Sequence, residues 1–246
     1  MAELLQVKNL SKKGILEQVG FSMEEGELTA VMGPSGSGKS TLLYNVSGMD
    51  TPDGGEVWLK DTEITALSED AKAELRLNRM GFVFQQMNVI ARLNLLDNIL
   101  LPANHARKGR KERQENKERA LELMRTLQIE DLSQRGVREV SGGQLQRACI
   151  CRSMMLKPEI LFADEPTGAL NQSATKEVMQ AFLRLNQGGT SILMVTHDSM
   201  VAARCDRILY LLDGKIQGEL LLGKWLDATQ KAREDQVRKW LSGLGW

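Results

Sequence analysis

The sequence carries no surplus of charge: its 246 residues include 32 lysines and arginines against 32 aspartates and glutamates. Non-specific nucleic-acid binding depends on excess Lys and Arg on one face, so this balance removes the simple electrostatic case for such a partner. None is expected. Cysteine is scarce, limited to Cys149, Cys151 and Cys205, with no C-x-x-C pair and only two histidines to complete a zinc site. That scarcity argues against a disulfide framework and fits a reducing compartment, where Cys acts as a small buried apolar side chain. No stretch approaches the roughly 18 uninterrupted apolar residues of a membrane span. The opening MAELLQVKNLSKK lacks a charged leader followed by an apolar core and a cleavage site, so a soluble chain without a secretory signal is expected. Internal repeats and low-complexity tracts are also missing. The length suits one large domain, burying roughly 70–75% of the surface its unfolded form exposes.

What is present is a rhythm of short apolar runs. Those at 4–7, 19–23 and 27–32, parted by polar and Gly-containing turns, predict strands, and further strands are expected at 55–59 and 80–84. From about 88 to 156 the pattern turns helical, as in 112–127, which reads as an inserted helical lobe. Beyond it, apolar runs at 160–163, 191–195 and 207–212 alternate with helical stretches at 173–186 and 199–203. That alternation implies a parallel sheet covered by helices.

The sharpest motif is Gly33, Pro34, Ser35, Gly36, Ser37, Gly38, Lys39, Ser40 and Thr41, which follows the strand ending at Met32 and opens the helical run 41–47. This is a complete P-loop in its required context. Its glycines let backbone N–H groups face phosphates, the helix N-terminus adds partial positive charge, Lys39 reaches the β- and γ-phosphates, and Ser40 ligates Mg²⁺. A bare Gly-rich turn would leave Lys39 and Ser40 to accident. The second motif is an apolar strand, 160–163, ending in Asp164 and Glu165. A parallel strand would bring these carboxylates beside the phosphates, with Asp164 holding the Mg²⁺ shell and Glu165 orienting and deprotonating the attacking water. The competing reading is an acidic pair at a helix N-terminus. The third is Ser141, Gly142, Gly143 and Gln144 before the helical run 145–156. Ser141 can cap that helix and the glycines permit close approach of an anion, so a second phosphate site and an ordinary cap both remain open.

The P-loop, Gln85, Ser141–Gln144, Asp164–Glu165 and His197 occur in the order and approximate spacing of ABC ATPases, which the chain resembles over roughly residues 3–220. The resemblance implies an α/β fold: a P-loop NTPase core with a mainly parallel sheet, an N-terminal antiparallel β subdomain and an inserted α-helical subdomain. Residues 1–223 would form that single ATPase domain, with the helical subdomain at approximately 88–157, and 224–246 would be a C-terminal amphipathic helical extension. It also implies ATP hydrolysis with Mg²⁺, and a head-to-tail homodimer in which residues 141–144 of one subunit cap ATP held by the P-loop of the other. Gln85 resembles the glutamine linking metal and water to the membrane partner, and His197 the switch histidine at the γ-phosphate. The implied partner is an integral-membrane permease, which places the chain at the cytoplasmic face of the cell membrane.

Residues 82–86 (FVFQQ), 98–102 (NILLP) and 163–169 (ADEPTGA) resemble the subfamily of macrolide exporters, lipoprotein-releasing ATPases and bacitracin-resistance transporters. Residues 168–170, 194–198 and 202–205 are most similar to the bacitracin-resistance type, which implies a large permease and a response to antimicrobial peptides. A different class of function is a nucleotide-gated regulatory module with little transport. Intact Lys39, Asp164, Glu165 and His197 argue against it.

Two departures stand out. The family usually stacks an aromatic from the N-terminal strands on adenine, yet no Tyr or Phe precedes Phe21, so weaker stacking is expected, with the stem of Lys12 or Lys13 over the base and some tolerance of other nucleotides. Asn171 stands where the family usually has Asp, and modestly altered communication between the two sites is expected. The charge-dense stretch 107–119 reads as an exposed helix in preference to a lipid or nucleic-acid contact. The segment 224–246 spaces Leu226, Val237, Leu241 and Leu244 at near-helical intervals, with Trp225, Trp240 and Trp246 nearby; packing on its own domain is favoured over docking to a partner.

Overall fold

The computed structural model describes residues 2–106 and 110–246. The first strands are β1 (Glu3–Lys12), β2 (Leu16–Glu24) and β3 (Leu28–Met32), followed by helix α1 (Lys39–Val46). Then come β4 (Gly54–Leu59), β5 (Thr62–Glu63), α2 (Glu69–Arg79) and β6 (Met80–Val83). The helical lobe holds α3 (Leu95–Ala106), α4 (Arg110–Thr126) and α5 (Gly142–Ser153). The remainder alternates: β7 (Ile160–Asp164), α6 (Gln172–Gln187), β8 (Ser191–Val195), α7 (Ser199–Ala202), β9 (Arg207–Leu212), β10 (Lys215–Leu221) and α8 (Gln230–Gly243).

Two sheets result. The smaller is antiparallel, in the order β2-β1-β4-β5, and the larger runs β10-β9-β3-β8-β7-β6. Every pairing in the larger sheet is parallel except β9 with β10. This is the expected α/β architecture. Residues of β3, β7 and β8 are buried throughout, as strands with both faces covered must be, which explains why they read as unbroken apolar runs. One core lies between the sheets, where Leu42, Leu43 and Val46 of α1 meet Val7 and Val19 on one side and Phe162 and Leu209 on the other. The second core joins the opposite face of the larger sheet to α3–α8. Helix α1 and the loop before it are thereby clamped between layers.

Besides the two-residue strand β5, two elements have no counterpart in the apolar pattern, α2 and β10. Helix α2 is mostly polar and buries only Lys72 and Leu75; its local signals are the Ser68 cap, which accepts the Ala71 N–H, acidic residues in the first turn and Arg76 and Arg79 in the last. Strand β10 is an edge strand with no fully buried residue, turned from β9 through Asp213 and Gly214 at φ of 48° and 73°. Residues 107–109 of the charge-dense stretch lie outside the described residues. Its continuation in α4 is largely exposed, while Arg119 donates to the carbonyls of Met154 and Met155.

The C-terminal segment packs on its own chain. Trp225, Val237 and Leu241 are buried, Trp240 and Trp246 meet Tyr210 edge-on, and Leu226 stays exposed. Arg233 donates to the carbonyls of Ala203, Leu222, Gly223 and Lys224 beneath Trp225. The cysteines are all buried and unpaired. No helix among the described residues is long and apolar enough to cross a membrane.

Candidate active site

Parallel pairing of β3, β8, β7 and β6 aligns four strand ends along one edge, and each is followed by a candidate residue. The P-loop follows β3, His197 follows β8, Asp164 closes β7 with Glu165 next, and Gln85 lies just past β6. Ligands of α/β sheets gather at this carboxyl edge because helix N-termini and short loops converge there.

Helix α1 begins without a side-chain cap, and Gly36 and Gly38 sit at φ of 82° and 97°. Its first-turn N–H groups therefore remain available to an anion. Pro34, Ser35 and Gly36 are exposed, whereas Ser37 Oγ is buried with no hydrogen-bond partner among the described residues. An orphaned donor of this kind suits a loop shaped around phosphate. Lys39 is buried, and its ammonium donates to the carbonyls of Gly33 (2.8 Å) and Pro34 (2.9 Å). Burial lowers the Lys39 pKa, against the opposing pull of Glu165 and Asp164. Thr41 continues the helix, its carbonyl accepting from Asn45 Nδ2.

Asp164, 8% exposed, accepts from the Ser40 hydroxyl at Oδ1 (2.9 Å) and from the Tyr44 hydroxyl at Oδ2 (2.8 Å). Burial and the Asp164 contact push the Tyr44 pKa up to about 12, so its proton stays in place as a donor at neutral pH. The oxygens of Ser40 and Asp164 are hard donors of the kind Mg²⁺ takes. No group of three His, Cys, Asp or Glu side chains among the described residues could hold a metal alone, so phosphate oxygens or water would have to complete a shell.

Glu165 adopts φ of 45°, a left-handed conformation uncommon outside glycine, and its N–H donates to the Val195 carbonyl. His197 Nδ1 lies 2.9 Å from Glu165 Oε1. An ionised carboxylate only accepts, so Nδ1 carries the proton in this contact. Gln85 packs against the same loop: a Cβ on Gly168 would stand 3.1 Å from Gln85 Nε2 and 3.6 Å from Glu165 Cβ. Gly168 thus allows that close approach.

Ser141 and Gln144 are not joined to this cluster by any hydrogen bond among the described residues. Ser141 caps α5 by accepting the Gln144 N–H, and Gln144 Oε1 accepts the Ser141 N–H (2.8 Å). Gly142 borders Leu170, and a Cβ on Gly143 would meet that of Ala174 at 2.9 Å, which seats the start of α5 on the start of α6. Asn171 caps α6 through the Ala174 N–H (2.9 Å), a role Asn fills as well as Asp.

Lys12, one of the two lysines expected to cover the base, has its ammonium tied to Asp50 (2.9 Å) and the Thr51 carbonyl (2.7 Å). Beside Gly36 lies instead a cavity of about 580 Å³ lined by Gly14, Ile15, Leu16, Glu17, Asp213 and Gly214. Ile15, 43% exposed, is its apolar surface. Sequence inspection also missed Tyr44, whose only signal is its position four residues after Ser40 on one helix face.

The family model described as ABC transporter matches residues 16–168, more than half of the chain. The chain belongs to the ABC transporter family. The ABC transporter ATP-binding protein YxdL of Bacillus subtilis is 39% identical over 253 residues, covering 100% of this chain and 96% of that protein. The lipoprotein-releasing system ATP-binding protein LolD of Aquifex aeolicus is 42% identical over 89% of this chain and 99% of its own. Among solved structures, the dimeric MJ0796 cassette superposes with a TM-score of 0.79 at 36% identity, covering 90% of this chain and 100% of that one. A further structure of MJ0796 is a post-hydrolysis state bound to ADP and phosphate. This chain is accordingly an ABC ATPase cassette, the ATP-binding subunit of a transporter.

Proposed function

We propose that the chain powers a separate integral-membrane permease as a homodimer, with two ATP molecules at the shared interface and the assembly at the cytoplasmic face of the membrane. The single observation that carries this is the split of the site. Lys39, Ser40, Asp164, Glu165 and His197 gather at one sheet edge, while the start of α5 at residues 141–144 forms no hydrogen bond with them among the described residues and is seated on the start of α6. A second copy, facing the first, is the natural source of the missing cap, and the dimeric MJ0796 cassette supports this arrangement.

In this reading the P-loop N–H groups, Ser37 and Lys39 hold the phosphates. Ser40, Asp164 and Gln85 would hold Mg²⁺, which when bound would offset the negative charge of the phosphates. Glu165 takes the proton of the attacking water, and His197 holds the Glu165 carboxylate until the γ-phosphate claims it. Between α2, β6 and α3 runs a groove of about 500 Å³ lined by Met49, Leu77, Phe82, Phe84 and Leu101. Met49, Leu77 and Leu101 are exposed apolar residues, and β6 leads directly to Gln85, which supports this groove as the permease contact. Residues 168–170, 194–198 and 202–205 support placing the permease in antimicrobial peptide resistance, exporting or extruding a membrane-associated substrate.

Affinity purification from gently solubilised native membranes tests the proposal. A co-purifying large permease that stimulates hydrolysis is the expected outcome, whereas recovery of soluble proteins alone contradicts it. The aliphatic surface of Ile15 leads to a second expectation. An aliphatic surface, like a stacking one, does not tell adenine from guanine, so the KM for GTP should fall within about tenfold of that for ATP in steady-state assays. Discrimination beyond about 100-fold would show that another group reads the base.

A further inference from the structure

Asp164 is gripped from one helix at two points, by residues one turn apart on the same face of α1. Ser40 donates to Oδ1 and Tyr44 to Oδ2, across 124 and 120 positions of sequence. The two contacts are not equivalent. Once the Ser40 oxygen turns a lone pair to a cation, its hydroxyl proton must point away from that cation, and its hold on Asp164 changes. The Tyr44 hydroxyl touches only the far oxygen and can keep its bond throughout. Without it, an aspartate that is almost wholly buried has one oxygen with no donor among the described residues, beside a lysine that Asp164 attracts.

We infer that Tyr44 is a positioning residue for the metal: its hydroxyl holds Oδ2 of Asp164 so that Oδ1 faces the cation bound with Ser40. The inference rests on the metal role given above to Asp164. Residues behind a metal ligand fix its orientation, and their loss typically weakens metal affinity about 10- to 100-fold. Tyr44 is partly buried against the core between the sheets, and Phe can keep that packing while losing only the oxygen.

The test compares the full-length protein with Tyr44→Phe and Asp164→Asn. Metal affinity is read by titrating Mn²⁺ into protein with a non-hydrolysable ATP analogue and following free Mn²⁺ by electron paramagnetic resonance. Binding of the analogue is measured separately in EDTA, and melting temperature monitors the fold. For Tyr44→Phe, Mn²⁺ affinity should fall about 10- to 100-fold, analogue binding in EDTA should stay within about twofold, and kcat should recover at high Mg²⁺. Asp164→Asn should weaken Mn²⁺ binding at least as much. If Asp164→Asn weakens it and Tyr44→Phe does not, the inference is overturned while the metal role of Asp164 stands. If neither does, that role fails and takes the inference with it. Should Tyr44→Phe melt early, 4-aminophenylalanine at position 44, which keeps the ring and an N–H donor at its para position, must recover Mn²⁺ affinity relative to Tyr44→Phe; equal losses in both overturn the inference.

Discussion

Glu165→Gln is expected to lower ATP turnover by about 10²- to 10⁴-fold, the usual contribution of a general base, while nucleotide affinity stays close to that of the unaltered protein. The change keeps side-chain size and a hydrogen-bonding end, so the 2.9 Å contact with His197 can persist through the amide oxygen. What is lost is the capacity to accept the proton of the attacking water. Backbone geometry supports a role beyond packing: Glu165 holds φ of 45°, a conformation that costs about 1–3 kcal/mol for a residue with a side chain. That strain aims the carboxylate at the sheet edge beside Asp164 and the P-loop. Phosphate release and equilibrium binding of a fluorescent ATP analogue separate the two effects. Turnover within about threefold of the unaltered protein would move the base to another residue.

Lys39→Met should produce the opposite pattern, a loss of binding. Methionine retains an apolar stem in the buried slot but removes the ammonium, which now donates to the carbonyls of Gly33 and Pro34. Both acceptors belong to the P-loop itself, so the same ammonium can exchange them for phosphate oxygens with little movement. Hydrogen bonds from a charged donor contribute about 1.5–3 kcal/mol each, so redirecting two of them corresponds to a fall in ATP affinity of about 100-fold or more. Calorimetric titration measures it directly. Affinity within about threefold would mean that the loop N–H groups carry the phosphates without the lysine.

Legibility of the fold in the sequence followed burial. Strands β7, β8 and β9 were readable almost to the residue because parallel strands covered on both faces are continuous apolar runs. Helix α2 and strand β10 escaped notice because they lie at the margins and contribute little to either core. Their capping and turn residues were present, but such signals are weak without an apolar run to bound. In the site, residues carried by contiguous motifs could be named, and the structure brings Lys39, Ser40, Asp164, Glu165 and His197 together. Tyr44 could not be named, since its importance comes from a contact with a carboxylate 120 positions away. The ion pair of Lys12 was hidden for the same reason: its partner Asp50 is near only after β1 and the end of α1 have packed.

Sharing of each ATP between two copies is most directly tested by sedimentation velocity of the Glu165→Gln protein, with Mg²⁺ and either ATP or ADP. Dimers with ATP and monomers with ADP are expected, and a further Ser141→Arg change, which puts a bulky side chain at the start of α5, should return the ATP sample to monomers. A monomer at ATP concentrations that saturate the site, or a dimer indifferent to Ser141→Arg, would contradict a site completed by residues 141–144 of a second copy.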